Sequence, residues 1–367
     1  MLRIVHIVGA MYPGGMENFI MNLYEKIDRD KYQFDFIVHL QKENDYKEQI
    51  EAMGGTVYEI PRLTRKPVSS LRMLYKIIKE NQYPIVIRHT ANAFVIAQLL
   101  VAKAAGAKTI CHSHNETDPK MLLHKLGKMW MKYACDGRLA CSPRAGKWMF
   151  GSLDYTVIHN AINIDRFIYD ESKADTIRKE FNLEDRHVYG HIANFIKSKN
   201  HKYLLAIFAE IVKRDSKAIL ICLGEGELRD EIEAEIKRLH LEERVILTGV
   251  RHDAECFMSC FDVLIFPSFF EGLPLTLIEA QVAGLPAIIS DTITNEVIIT
   301  DGLISMESIE AQPEEWAVKA CGLAVSNKDR TCQIESIQKA GYDMNVLSQW
   351  YQKYFDSIVS GDKDDSK

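Results

Sequence analysis

The chain has 367 residues, a formal net charge of −6, 47% hydrophobic residues and 26% charged residues. That length suggests about two domains, the composition excludes a disordered chain, and the acidic balance excludes a global electrostatic footprint for nucleic acid. The eight cysteines form no Cys-x-x-Cys pair and lack nearby histidines at zinc-finger spacing, so they read as buried, reduced thiols.

The N-terminus carries one basic residue and a short apolar run, too brief for a signal-peptide core and suited to a first strand over 3–9. No stretch approaches the roughly 18 apolar residues that cross a bilayer, and a cytoplasmic protein is expected. Further strands are predicted at 34–39, 56–59, 85–88, 108–112, 137–140 and 155–158. Segments of 3.6-residue periodicity separate them at 16–27, 69–81, 93–104 and 121–134. The second half repeats the rhythm, with strands at 187–193, 218–223, 244–247, 263–267 and 286–289 and helices at 201–214, 227–240 and 275–283. Near-continuous apolar strands alternating with amphipathic helices signal parallel sheets covered on both faces. About a dozen strands exceed one ordinary sheet, so the fold class is α/β with two doubly wound, Rossmann-like domains. The polar stretch 160–172 places the boundary, giving domains 1–165 and 166–343, and residues 360–367 read as a polar tail.

In doubly wound sheets, ligands bind beyond the carboxyl ends of strands, where helix N-termini present free amides. The first such turn is Gly9-Ala-Met-Tyr-Pro-Gly14-Gly15-Met-Glu17. Its glycines permit close approach of a ligand, or serve only the turn. It is not Gly-x-Gly-x-x-Gly, which disfavours a dehydrogenase. In the first half, Cys111-His112-Ser-His114 ends a strand with both rings on one face. No third ligand stands nearby in sequence, so no metal is expected. Residues 119–133 carry lysines, methionines and a tryptophan at helical spacing. They read either as a core-packing helix with a solvated face or as a contact with an anionic membrane surface.

Three turns in the second half carry more. Ile192-Ala-Asn194-Phe-Ile-Lys197-Ser-Lys199-Asn200 aims lysines at an anion or into solvent. Leu223-Gly224-Glu-Gly226 suits close approach of a base or ribose. Pro267-Ser-Phe-Phe-Glu271-Gly272-Leu-Pro274-Leu275-Thr276-Leu-Ile-Glu279 ends a buried strand and opens a helix. Free amides there suit a diphosphate, and the two carboxylates suit hydroxyls on either side of it, the pattern a nucleotide sugar presents. The plain alternative is a helix-start glutamate and a solvated face.

Taken in order, these turns resemble the retaining glycosyltransferases of family 4, and among them the bacterial exopolysaccharide and capsule-assembly transferases. The family's Glu-x7-Glu motif is similar to Glu271 and Glu279, its Gly-Gly-x-Glu turn to Gly14-Gly15-Met16-Glu17, and its Lys-Asn turn to Lys199-Asn200. The linker motif is similar to Asn160-Ala-Ile-Asn163 and the glycine turn to Gly224-Glu-Gly226. The resemblance implies the GT-B fold, two Rossmann-like domains facing a cleft, with residues 344–358 crossing back to the first domain. It implies that Glu279 holds the ribose hydroxyls, Glu271 the donor-sugar hydroxyls, and Lys199 with the Leu275 and Thr276 amides the diphosphate. Gly14, Gly15, Gly224, Gly226 and Gly272 complete the implied donor site, and His114 faces the sugar. The family usually has arginine five residues before the lysine; this chain has Asn194, with Lys197 as the candidate replacement.

The implied reaction moves a hexosyl or N-acetylhexosaminyl group from a UDP-sugar to a lipid-linked saccharide with retention. It uses no metal or cofactor, because basic residues and helix amides supply the positive charge. The first domain would bind the acceptor, with peripheral contact at the inner face of the plasma membrane through 120–132. An inverting transferase or epimerase would need a base, for which His114 or Glu17 are candidates. A catalytically impaired nucleotide-sugar-binding subunit is the alternative that Asn194 motivates.

Overall fold

The structure, a computed structural model, describes residues 1–40, 45–90, 92–114, 121–326, 330 and 334–361. Strands form where apolar and β-branched residues run unbroken: Val263–Phe266 and Ala218–Leu223 are buried at every position, as strands covered on both faces must be. The chain divides into unit 1, Met1–Ala161 with Met344–Lys367, and unit 2, Ile162–Asp343.

Unit 1 contains strands β1 (Leu2–Ile7), β2 (Tyr32–Val38), β3 (Val57–Glu59), β4 (Ile85–Thr90), β5 (Lys108–Ser113), β6 (Gly137–Ala140) and β7 (Thr156–Val157). They form one sheet in the order β3-β2-β1-β4-β5-β6-β7, parallel throughout. Strand order reverses between β1 and β4, the place where doubly wound sheets open a crevice at their carboxyl edge. The helix Met344–Ser360 belongs to this unit, burying Tyr351 and Phe355 against the same core as Phe19, Tyr24 and Phe34.

Unit 2 contains β8 (His187–Ile192), β9 (Ala218–Leu223), β10 (Val245–Gly249), β11 (Val263–Phe266), β12 (Ala287–Ser290) and β13 (Ile304–Glu307). The order is β10-β9-β8-β11-β12-β13, again parallel, and the reversal lies between β8 and β11. Strand β13 is absent from the sequence-based expectation. It is an edge strand with every residue only half-buried, so it lacks the apolar run that marks the inner strands. The helix expected over 227–240 is shorter, Arg229–Arg238.

Candidate active site

In unit 2 the turns that follow β8 and β11 are tied to each other across the switch point. The Phe269 amide donates to the Ser198 carbonyl at 2.8 Å, and Asn200 Nδ2 to the Pro267 carbonyl at 3.1 Å. Asn200 accepts the left-handed conformation (φ 57°) that turns the chain from the short Lys197–Lys199 turn into the helix His201–Arg214, a role asparagine tolerates. These ties hold Lys199 Nζ 2.6 Å from both carboxylate oxygens of Glu271. The side chains are 18% and 9% exposed, so the pair is partly withdrawn from water, where such charge-assisted contacts are stronger than at the surface.

The helix Leu275–Val282 begins beside this pair, with Pro274 at its cap and no side-chain hydrogen bond to its first amides. The Leu275 and Thr276 N–H groups therefore keep their donor capacity. One turn further on, Glu279 is 8% exposed. Burial pushes its carboxyl up to about 7, with Glu255 raising it further and Arg166 pulling it down. Arg166 pairs with Glu255 at 2.8 Å. The reading of Glu279 as a solvated face is therefore overturned: a helix that is buried on nearly every side leaves it in the protein interior. Neither Arg166 nor Glu255 stands out in the sequence, since both reach Glu279 from other elements.

Gly224 and Gly226 have a packing reason for their lack of a side chain. A Cβ would stand 2.0 Å from the Ala193 carbonyl oxygen at Gly224, where φ is +138°, and 2.4 Å from that of Phe195 at Gly226. The turn after β9 thus lies directly against the turn after β8. A Cβ at Gly272 would meet nothing within 4 Å. Asn194 and Lys197 are both exposed on the β8 turn, and Lys197 makes no ion pair among the described residues.

In unit 1, Gly14 caps the helix Gly15–Lys26 in extended backbone. A Cβ on Gly14 would stand 2.8 Å from Glu17 Oε2, whereas one on Gly15 would meet nothing. His114, at the end of β5, lies in a row of imidazoles that spans the unit's switch point. His6 Nδ1 is 2.9 Å from His89 Nε2, and His89 Nδ1 is 2.9 Å from His114 Nε2. Burial keeps all three rings neutral, so each contact holds one proton and the row shares one tautomer direction. His112 lies opposite His89 in the strand register, with its ring 4.0 Å from that of His114. Its two nitrogens are buried with no hydrogen-bond partner. Burial holds His6 and His114 down to about 3 and pushes His89 and His112 well below the ordinary histidine range.

A third candidate ligand, His89, stands beside His112 and His114 on the neighbouring strand, where local spacing offered none. The ligand atoms of His89, His112 and His114 lie within 4.8 Å of one another, a grouping able to hold a metal ion. The signal was available only across strands: β4 pairs with β5, and that adjacency is a property of topology.

The helix Met121–Ala134 divides its residues. Met131 and Ala134 are fully buried, while Leu126, Met129, Trp130 and Tyr133 are more than half exposed. Lys120 lies outside the described residues, as does Cys332. The other seven cysteines form no disulfide, and four of them, Cys111, Cys135, Cys222 and Cys260, are buried.

Two family models divide the chain almost as its two sheets do: "Glycosyltransferase Family 4" matches residues 13–166 and "Glycosyl transferases group 1" residues 173–352. The chain is 32% identical over 365 residues to the putative glycosyltransferase EpsF of Bacillus subtilis, covering 93% of each. The chain belongs to glycosyltransferase family 4. It is also 24% identical to the Escherichia coli UDP-Gal:alpha-D-GlcNAc-diphosphoundecaprenol alpha-1,3-galactosyltransferase, over 84% of this chain and 86% of that one. Among solved structures, Anabaena HepE in complex with UDP and glucose matches with a TM-score of 0.78 at 17% identity, over 97% of this chain and 100% of that one. At that identity the likeness establishes the GT-B fold of this family 4 transferase and nothing finer. No helix among the described residues is long and apolar enough to cross a membrane.

Proposed function

We propose that this family 4 transferase moves a hexosyl or N-acetylhexosaminyl group from a UDP-sugar to a lipid-linked saccharide, with retention, in the assembly of a bacterial surface polysaccharide. The observation that carries the donor reading is the Lys199–Glu271 pair, held across the β8/β11 switch point beside an uncapped helix start. A sugar diphosphate matches that arrangement at its junction. Lys199 Nζ and the Leu275 and Thr276 amides take the diphosphate, and Glu271 turns to the sugar hydroxyls. Buried Glu279 accepts from the ribose, and Gly272 leaves the turn open to the donor. The donor and acceptor classes follow those in the name of the E. coli relative.

The chemistry needs negative charge stabilised on the departing diphosphate, and preorganised donors supply that without reorganisation. The bond from the anomeric carbon to the diphosphate oxygen breaks as the acceptor oxygen bonds to the same face. The acceptor proton passes to the departing oxygen. No metal takes part in this scheme. His114 serves as a neutral imidazole at the edge of unit 1, which is read as the acceptor-binding half, with Gly14 and Gly15 at its first turn. Lys197 supplies the second cation that the family's arginine would give at Asn194. The intact Lys199–Glu271 pair favours a working enzyme over a binding-only subunit. The half-exposed apolar side chains and lysines of Met121–Ala134 support peripheral contact with the inner membrane face.

The test is nucleotide release from a panel of UDP- and GDP-sugars, with and without membrane lipid extract, followed by NMR of the product's anomeric configuration. One UDP-sugar should give release that requires the extract and disappears in Glu271→Ala. Binding of UDP without turnover of any donor would return the impaired-subunit reading, and an inverted product would sink retention.

A further inference from the structure

Unit 1 contains a cavity of about 440 Å³ at the carboxyl edge of its sheet, within the size range of small-molecule sites. Side chains alternate faces along a strand, so Arg88, which lines the cavity, and His89, which joins the histidine row, leave β4 on opposite faces. No carboxylate is among the described residues that line it.

Arg88 is 7% exposed. Its Nε donates to Gln98 Oε1 at 2.9 Å, and its Nη1 donates to the carbonyls of Ile7, at 2.9 Å, and of His89. All three acceptors are neutral, and Arg88 forms no ion pair among the described residues. A buried cation without a counter-ion is costly, and proteins normally pair such charges. A guanidinium keeps its charge at neutral pH even when buried.

The lining orients itself around that charge. Gln98 spends its oxygen on Arg88, so its Nε2 donates to His39 Nε2 at 3.2 Å. His39 must then carry its proton on Nδ1, facing the Ile60 carbonyl at 3.5 Å. Both Arg88 and Arg62 help hold His39 neutral, after its own burial, so the two guanidiniums act on one small volume. Arg62 is exposed, on a loop that also carries the exposed Arg65 and Lys66. None of the three is in an ion pair among the described residues. Asn92 supplies an independent observation. Its Oδ1 accepts from the Phe94 amide at 2.8 Å, while its Nδ2 is buried with no partner, and the residue is 8% exposed. An unspent donor, a buried unpaired cation and an exposed cation therefore line one cavity, with Leu63 and Phe94 as apolar walls.

We propose that this cavity takes an anionic saccharide, the phosphoryl or carboxylate group lying against Arg88 and Asn92 with Arg62 closing over it. The proposal rests on the reading of unit 1 as the acceptor-binding half and names the acceptor's class. The anion comes either from the diphosphate of a lipid-linked sugar or from an acidic sugar in the growing chain.

Calorimetric titrations of the full chain held in saturating UDP, which fills the donor site, test this. The probes are N-acetylglucosamine 1-phosphate, glucuronic acid and neutral N-acetylglucosamine. One of the anionic probes should bind at least tenfold more tightly than the neutral sugar, and which one does so separates the two sources. Arg62→Gln should weaken that binding about fivefold and Arg88→Gln at least tenfold, with UDP affinity unchanged. If Arg88→Gln no longer binds UDP, it has lost its fold, and Arg62→Gln decides alone. Equal binding of neutral and anionic sugars, no binding of either anion, or Arg62→Gln behaving as wild type would overturn the proposal. Failure of wild type to bind UDP would instead count against the donor reading in unit 2.

Discussion

The carboxyl edges of the two sheets share a topology and differ in how they carry charge. At the β8/β11 edge, two full charges meet at 2.6 Å in Lys199 and Glu271. At the β1/β4 edge, one face holds neutral imidazoles in a hydrogen-bonded row, and the unpaired charge of Arg88 leaves β4 on the other. A doubly wound sheet provides the crevice and the helix N-termini; the side chains set on the strand ends decide whether the edge attracts charge or excludes it. The first edge is built to meet an anion. The second, on its histidine face, is built to keep its rings neutral.

The largest effect should come from removing the charge in unit 2. Lys199→Ala should lower turnover by about 10²–10³-fold, the usual loss when one preorganised donor to a developing anion is deleted. Nucleotide release under saturating donor reads it, and a loss below about fivefold would remove Lys199 from the reaction.

In unit 1 the effect should fall on stability. His6 and His114 are held near 3, against about 6.5 in the unfolded chain. The folded protein therefore binds fewer protons, and its stability is complete above about pH 6.5 and declines as the pH falls below it. Each imidazole in the row contributes up to about 1.4 kcal/mol per pH unit. Denaturant melts from pH 7.5 to 4.5 should show this slope. His89→Phe leaves two buried nitrogens without a partner and should cost about 2 kcal/mol at pH 7. His112→Phe removes two unpartnered nitrogens and should be neutral or slightly stabilising. If both substitutions cost the same, the hydrogen-bonded row is not what distinguishes them.

A smaller effect should appear at Glu279, whose carboxyl burial pushes up to about 7. Ribose hydroxyls donate to the ionised form, so uridine affinity should fall as the pH drops below 7, by up to about tenfold per unit. Uridine has no phosphate to titrate in this range, and Glu279→Gln should flatten the profile. The smallest effect is an expected absence of one: prior treatment with a chelator should leave transfer unchanged. A chelator-sensitive rate restored by zinc would turn attention to His89, His112 and His114.

Much of unit 2's candidate site was legible because Lys199 and Glu271 sit on turns that follow strongly apolar strands, with Glu279 in the helix that the second turn opens. Chain direction alone places such turns at one edge of a parallel sheet. What sequence could not supply was contact between turns. That Lys199 meets Glu271 depends on β8 lying beside β11, seventy-two positions apart along the chain. The burial of Glu279, the packing reason for Gly224 and Gly226, and the meeting of His6, His89 and His114 share that origin. Arg88 was invisible for a different reason: an arginine inside an apolar strand gives no local sign of whether its charge has a partner.

The helix Met344–Ser360 has a consequence for how the molecule comes into being. It completes a core begun by residues near the N-terminus, with Phe355 packing against Phe34 across the whole intervening length of unit 2. Unit 2 is one uninterrupted segment and has all its residues before that helix is synthesised. During translation, unit 2 can reach its final form while unit 1 still waits with Phe19, Tyr24 and Phe34 uncovered. Synthesis of that helix thus becomes the event that lets the N-terminal half close its core.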